Sequence, residues 1–277
     1  MQIVEASMNQ TTVLEKLIVD GRTYSPQDIR VILAALTEQS GYRSQDVRDF
    51  FKVFVKVEST IVTDDAILYR LSRLAGTTLL EAGFILRSIS QIADLPGDWC
   101  EFGVAHGRTS ALLAQCMLRS DQGRKLWLYD SFEGLPEPHA KDILLDDIFG
   151  RGSMAAYAGA ISIAENNVIL ELDSVKPGRQ FFNVVKGWIN PTLLGEHSPD
   201  LVSFAYLDMD LYQSTYDVLK FLVHHTPPRA VIVVDDYDYF SEGVKTAVTE
   251  IINEFPGAFI LERPYNDKFV ILTRTQE

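Results

Sequence analysis

The 277-residue sequence predicts an α/β fold: a parallel sheet with crossover helices, one antiparallel strand at its end, and a helical segment in front. Three observations lead there. Beyond Pro96-Gly97, short apolar runs alternate with amphipathic stretches, strand then helix, as parallel strands joined by crossovers require. The last two strand-like runs, AFILER and KFVILTR, are separated only by Pro264-Tyr265-Asn266-Asp267, a hairpin spacing that makes the final strand antiparallel. At 99–110 the stretch WCEFGVAHGRTS breaks an apolar, acid-bearing run into glycines and resumes as a helical pattern, the form of a ligand-binding strand-turn-helix.

Taken in order, residues 1–97 read as an N-terminal helical segment. Ser25 precedes Pro26, a residue suited to a first helical turn, and IRVILAALTEQ continues at helical spacing. A second helix is expected over 44–57, a third in ILYRLSRLAG capped from Thr63-Asp64-Asp65, and a fourth over 77–93 with a broad apolar face. Nothing in them suggests chemistry; packing on the core, covering it, or joining copies of the chain into a homo-oligomer is their expected use. The second domain, 98–277, carries strands expected near 98–104, 125–131, 181–188, 201–209 and 230–237. Helices fall at 108–119, 213–225 and 241–253, with a poorly bounded one within 159–173. The long interval 133–159 reads as a mobile cover over the sheet edge.

Composition excludes several functions. Hydrophobic residues make up 47% and charged ones 23%, a globular balance, and the net charge of −13 speaks against a partner held by phosphate neutralisation, hence against nucleic acid. Cys100 and Cys116 have no metal-ligand spacing, which favours a reducing, cytoplasmic setting. No stretch approaches the ~18 apolar residues of a membrane span, and no leader pattern opens the sequence.

The candidate chemistry is acidic. Glu101, Gly103 and Gly107 form E-x-G-x-x-x-G with Thr109 and Ser110 at the helix start, a spacing unlike the dinucleotide fingerprint; an acid beside hydroxyls suits a ligand with both amino and carboxylate groups. Asp130 ends the next strand about twenty residues on, where nucleoside-binding folds place an acid for ribose hydroxyls, with a turn formed with Ser131 as the alternative. Asp208, Asp235 and Asp236 end adjacent strands. Carboxylates so gathered repel one another unless protonated or neutralised by a hard cation, and oxygen-only donors favour magnesium, calcium or manganese. Asp210 belongs to the same acidic group, with a helix cap as its alternative reading, as also for Asp238.

The motifs EFGVAHGRTS, LWLYDSFEGLP, YLDMDLYQST and VVDDYDYFSEGVKTAV, in that order, resemble the macrocin O-methyltransferase family from about residue 99 to the end. The resemblance implies a class I methyltransferase (Rossmann-like) seven-stranded sheet, S-adenosylmethionine as donor, Mg²⁺, and a sugar hydroxyl of a glycosylated natural product such as an antibiotic as acceptor. It implies that Glu101, Gly103, Gly107 and Thr109 hold the methionine part of the donor and that Asp130 with Ser131 holds the ribose. It further implies Asp208, Asp235 and Asp236 as metal ligands, with Asp208 the catalytic base. A catechol-like phenol as acceptor, and a donor-binding partner subunit without chemistry, are the alternatives.

Overall fold

A computed structural model describes residues 45–46, 49–50, 64–119, 123–176, 180–263 and 268–276. The helix expected after Pro26 and most of the one over 44–57 lie outside the described residues, as does the hairpin turn 264–267. The chain divides into two compact units, Met1–Gln91 and Ile92–Glu277. In the first unit, α1 (Asp65–Leu71) starts where Asp64 Oδ1 accepts from Ala66 N and Ile67 N at 2.8 and 3.2 Å. Helix α2 (Leu79–Gln91) opens on a reciprocal cap, Thr78 Oγ1 accepting from Glu81 N while Glu81 Oε2 accepts from Thr78 N. Two backbone N–H groups that a helix start would leave unpaired are satisfied in this way.

The second unit is a seven-stranded sheet in the order β3-β2-β1-β4-β5-β7-β6. The strands are β1 (Asp98–Phe102), β2 (Leu126–Asp130), β3 (Phe182–Lys186), β4 (Val202–Leu207), β5 (Val231–Val234), β6 (Phe259–Glu262) and β7 (Val270–Arg274). Strands β1 to β5 pair in parallel, and β7 inserts antiparallel between β5 and β6. The expected antiparallel last strand is thus present. Every residue of β4 and β5 is buried, as strands covered on both faces must be. Ile232, Val233 and Val234 alone each contribute about 1.5–3 kcal/mol of burial.

The connecting helices are α3 (Arg108–Met117), α4 (Glu165–Asp173), α5 (Pro191–Glu196), α6 (Tyr212–His225) and α7 (Glu242–Glu254). Helix α5 was not expected, although Asn190-Pro191 carries its signal: Asn190 Oδ1 accepts from Leu193 N at 3.0 Å, with proline in the first turn. Strand order reverses between β1 and β4, because the crossover from β1 leads to β2 on one side while β4 lies on the other. The C-terminal ends of β1 and β4 therefore flank the crevice where such sheets bind ligands.

The interval 133–159, expected as a cover over the sheet edge, makes its own contacts with the rest of the unit. It contains a 3₁₀ turn, Met154–Tyr157, and its backbone is tied to the rest of the unit. Leu144 bridges to Ser241, Leu145 N donates to Phe240 O, and Tyr157 OH donates to Asp147 Oδ1 at 2.7 Å. Leu135, Met154 and Tyr157 form a second small core with Leu211 and Phe240. Backbone polar groups need partners, and here the segment finds them on the loop that follows β5.

Candidate active site

Four strands deliver left-handed, non-glycine residues to one edge of the sheet. Ala105 follows β1, Phe132 follows β2, Asp210 follows β4 and Asp236 follows β5, with φ of 44°, 58°, 61° and 53°. Such backbone is costly and persists where the surroundings over-determine it, and this edge holds four of the six such residues among those described, Ile161 and Arg229 being the others.

The β1 turn is built around Gly103. Its φ is +82°, and a Cβ there would lie 1.8 Å from the carbonyl oxygen of Asp208, so β1 and β4 end in contact only because the position is glycine. Asp208 N donates to Phe102 O at 2.8 Å, which places the first acid of the β4 loop directly beside the glycine turn. Gly107 begins α3 at φ +72°, close against Val168. Asp130 serves as a tie: its Oδ2 accepts from Val104 N and Ala105 N at 2.8 and 3.1 Å, and its Oδ1 from Phe132 N at 2.6 Å. Ser131 Oγ accepts from Glu133 N and donates to Gly134 O, a turn bond. The structure therefore brings the β1 and β2 turns together through the Asp130 carboxylate.

Glu101 is the unusual member of β1. It is 1% exposed, its Oε2 has no hydrogen-bond partner among the described residues, and the same holds for Ser110 Oγ on α3. Burial pushes the Glu101 carboxyl up to about 8; nearby Ser110 pulls it down and Asp130 adds to the rise. Buried polar atoms without partners call for a ligand or an ordered water. Thr109 is buried at the start of α3 beside them in sequence.

The carboxylates converge, with one exchange of membership. Asp208, Asp210 and Asp236 each offer an oxygen within 4.8 Å of the others. Burial raises the Asp208 carboxyl well above its ordinary value, and the charges of Asp235 and Asp236 raise it further against the pull of Lys268. Asp210 rises for the same first reason, then through Asp236 and Asp208. Asp235, taken from the sequence as the third member, is otherwise engaged. Its Oδ1 pairs with Lys268 Nζ and accepts from Asp236 N at 2.8 Å, and its Oδ2 accepts from Tyr206 OH at 3.0 Å. Lys268 Nζ also lies 3.3 Å from Asp236 Oδ1.

Neither Asp210 nor Asp238 caps a helix, and Asp210 joins the acidic group instead. The position before α6 is Leu211, with no side-chain cap, and the oxygen reaching the first turn belongs to Asp142, accepting from Tyr212 N at 2.7 Å. Ser241 caps α7, while Asp238 pairs with Lys245 at 2.6 Å. Asp142 and Lys268 escaped the sequence reading, because only the fold brings a residue of the 133–159 interval and one just before β7 to the acidic loops.

As a donor set, three gathered carboxylate oxygens, those of Asp208 and Asp210 with raised proton affinity, fit a hard divalent cation, since a dication offsets the repulsion between them. Among the described residues no helix is long and apolar enough to cross a membrane.

Against known proteins, the model of the macrocin-O-methyltransferase (TylF) family matches residues 84–257, more than half of the chain. The chain belongs to the macrocin-O-methyltransferase family. Two curated relatives are similar to it. One is the 8-demethyl-8-(2,3-dimethoxy-alpha-L-rhamnosyl)-tetracenomycin-C 4'-O-methyltransferase of Streptomyces olivaceus, 27% identical over 62% of this chain and 63% of that protein. The other is the demethyldecarbamoylnovobiocin O-methyltransferase of Streptomyces niveus, 28% identical over 52% of this chain and 54% of that protein. The chain thus spans less than two thirds of the length of these relatives. Among solved structures, the O-methyltransferase NovP superposes with a TM-score of 0.62 at 21% identity, covering 90% of this chain and 99% of its own. The calicheamicin methyltransferase CalS11 follows with 0.57 at 18% identity, covering 86% and 96%. These likenesses establish the class I O-methyltransferase fold for this family member.

Proposed function

We propose that the protein transfers the methyl group of S-adenosylmethionine to a hydroxyl of a small-molecule acceptor, a sugar of a glycosylated natural product, at a site containing a divalent cation. One observation carries the reading: Asp208, Asp210 and Asp236 gather at the switch point of the sheet, beside the β1 glycine turn, in a chain of this family. Glu101, Gly103, Gly107 and Thr109 would hold the methionine end of the donor, and Asp130 and Ser131 its ribose. The unpartnered Glu101 Oε2 and Ser110 Oγ supply acceptors for an ammonium group. Asp208 and Asp236 belong both to the metal set read from the sequence and to the set gathered in space, so they are the proposed cation ligands. Asp235 and Asp210 are the two choices for the third.

When bound, the donor would supply an electrophilic methyl on sulfur, and a cation held by Asp208 and Asp236 would lower the pKa of an alcohol that is otherwise a poor acid. The chain's own task is alignment and proton removal. The β1 and β2 turns would fix the donor, and the Asp208 carboxylate would take the hydroxyl proton as the C–O bond forms and the methyl–sulfur bond breaks, leaving S-adenosylhomocysteine. The acceptor reading draws on the sugar named in the tetracenomycin relative and on an apolar stretch beside the acidic loops. Ile143, Leu145 and Phe149 are exposed, and the stretch is tied to the β5 loop at Phe240 and Ser241, where the scaffold of a glycoside would rest on it. A cytoplasmic location and self-association through the first unit belong to the same proposal.

Calorimetry with S-adenosylmethionine, with and without Mg²⁺, tests donor and cation together; absence of donor binding under both conditions overturns the proposal. Asp208→Asn is expected to lower turnover by about 10²–10⁴-fold with donor affinity retained, and full activity in that variant removes the base. Assays of glycosides against catechols decide the acceptor class.

A further inference from the structure

Asp142 lies outside every motif singled out in the sequence, yet it joins the two acidic loops. It is 7% exposed, in the segment between β2 and the 3₁₀ turn. Its Oδ1 accepts from Tyr212 N, the first residue of α6, at 2.7 Å, and from Ser241 Oγ at 3.1 Å. Ser241 Oγ in turn accepts from Gly243 N at 3.0 Å in the first turn of α7. Asp142 Oδ2 accepts from His139 N at 2.7 Å, so the carboxylate is itself held on its own loop.

The geometry is crowded to the point of dictating a residue. A Cβ on Gly243 would lie 1.8 Å from Asp142 Oδ1 and 2.9 Å from Tyr212 N. The first turns of α6 and α7 meet at this one oxygen. Both helices start after acidic loops, α6 two residues beyond Asp210 and α7 six beyond Asp236, and both point their N-terminal ends at the same place. Two positive helix ends side by side repel, and an anion between them turns that repulsion into attraction. Backbone bonds flank the contact: Glu242 N donates to Ile143 O at 3.0 Å and Leu145 N to Phe240 O at 3.0 Å.

We propose that Asp142 is a positioning residue for the cation site, a clamp that holds the first turns of α6 and α7 together. It thereby sets the spacing of Asp208 and Asp210 against Asp236. The inference rests on the cation reading of that cluster. It makes the segment carrying Asp142 part of the site's framework, so that what rests on this segment is coupled to the carboxylates.

The test measures Mn²⁺ affinity by calorimetry and S-adenosylmethionine affinity separately, in the full chain. Asp142→Ala is expected to weaken Mn²⁺ binding about tenfold or more while donor affinity stays within about twofold, because the donor turns follow β1 and β2. Asp142→Asn, which keeps an oxygen for Tyr212 N, is expected to recover most of the loss. Gly243→Ala reaches the clamp from the other side. Alanine favours a helix over glycine, yet its Cβ displaces the carboxylate, so Mn²⁺ affinity falls as in Asp142→Ala. Unchanged Mn²⁺ affinity in these variants overturns the clamp, as does a parallel loss of donor affinity, or unfolding on either alanine substitution, each of which assigns Asp142 to general stability. A wild-type protein that binds no Mn²⁺ overturns the cation reading itself and the clamp with it.

Discussion

Glu101→Gln isolates the energetic consequence of a carboxyl buried in β1. The acid's pKa rises from 4.5 to about 8 in the folded chain, first because burial disfavours its charged form. Between those values the folded state keeps a proton that the unfolded state releases, so the slope of stability against pH is negative. The contribution is complete below about pH 4.5 and is lost as pH rises towards 8. At 1.36 kcal/mol per pH unit, the whole gap between 4.5 and about 8 amounts to roughly 4–5 kcal/mol, of which ~3 kcal/mol is already lost at pH 7. Glutamine has nearly the same shape and does not titrate. The assay is urea unfolding of both proteins between pH 5 and 8, scored as the difference in unfolding free energy. Wild type should lose about 1.4 kcal/mol per unit relative to Glu101→Gln, and the glutamine variant should be the more stable at pH 8. A difference that stays flat with pH refutes the assignment of a buried, neutral acid at this position.

Three further outcomes follow from the same edge of the sheet. Gly103→Ala must place a side chain at φ +82° and a Cβ 1.8 Å from Asp208 O; adding the left-handed penalty to overpacking gives about 2–5 kcal/mol of destabilisation, read from the shift of the denaturant midpoint. Asp210→Asn and Asp235→Asn compete for the third place in the cation set: the variant that weakens Mn²⁺ binding about tenfold identifies the ligand. Loss in Asp235→Asn means that Lys268 releases this carboxylate when the cation enters. Phe149→Ser, on the exposed apolar stretch, should raise KM for a glycoside acceptor several-fold while kcat and donor affinity hold, and an unchanged KM removes that stretch from acceptor binding.

Much of this arrangement was legible one residue at a time. Periodicity located β1 to β5 and helices α3, α6 and α7 to within a few residues, because burial of one face imposes a period on the chain. The hairpin spacing of AFILER and KFVILTR announced β7, whose antiparallel pairing with β5 and β6 is present. The membership of the acidic cluster was less legible. Asp235 and Asp236 are adjacent in sequence and were taken together, but Asp236 stands at φ 53° and Asp235 meets Tyr206 and Lys268 instead. For Asp210 the sequence offers both the acidic group and a helix cap; the fold places it in the group, while Asp142 reaches the first turn of α6.

The sequence by itself determined the elements, their order and the loops that carry acids, since those depend on local pattern and on the residues a turn demands. Tertiary structure decided which carboxylates share space and which are neutralised by a cation from elsewhere in the chain. Contacts such as Lys268 with Asp235, Gly103 with Asp208 and Asp142 with Tyr212 join positions far apart in the chain. Strand order and helix docking create those contacts, and no local spacing encodes them.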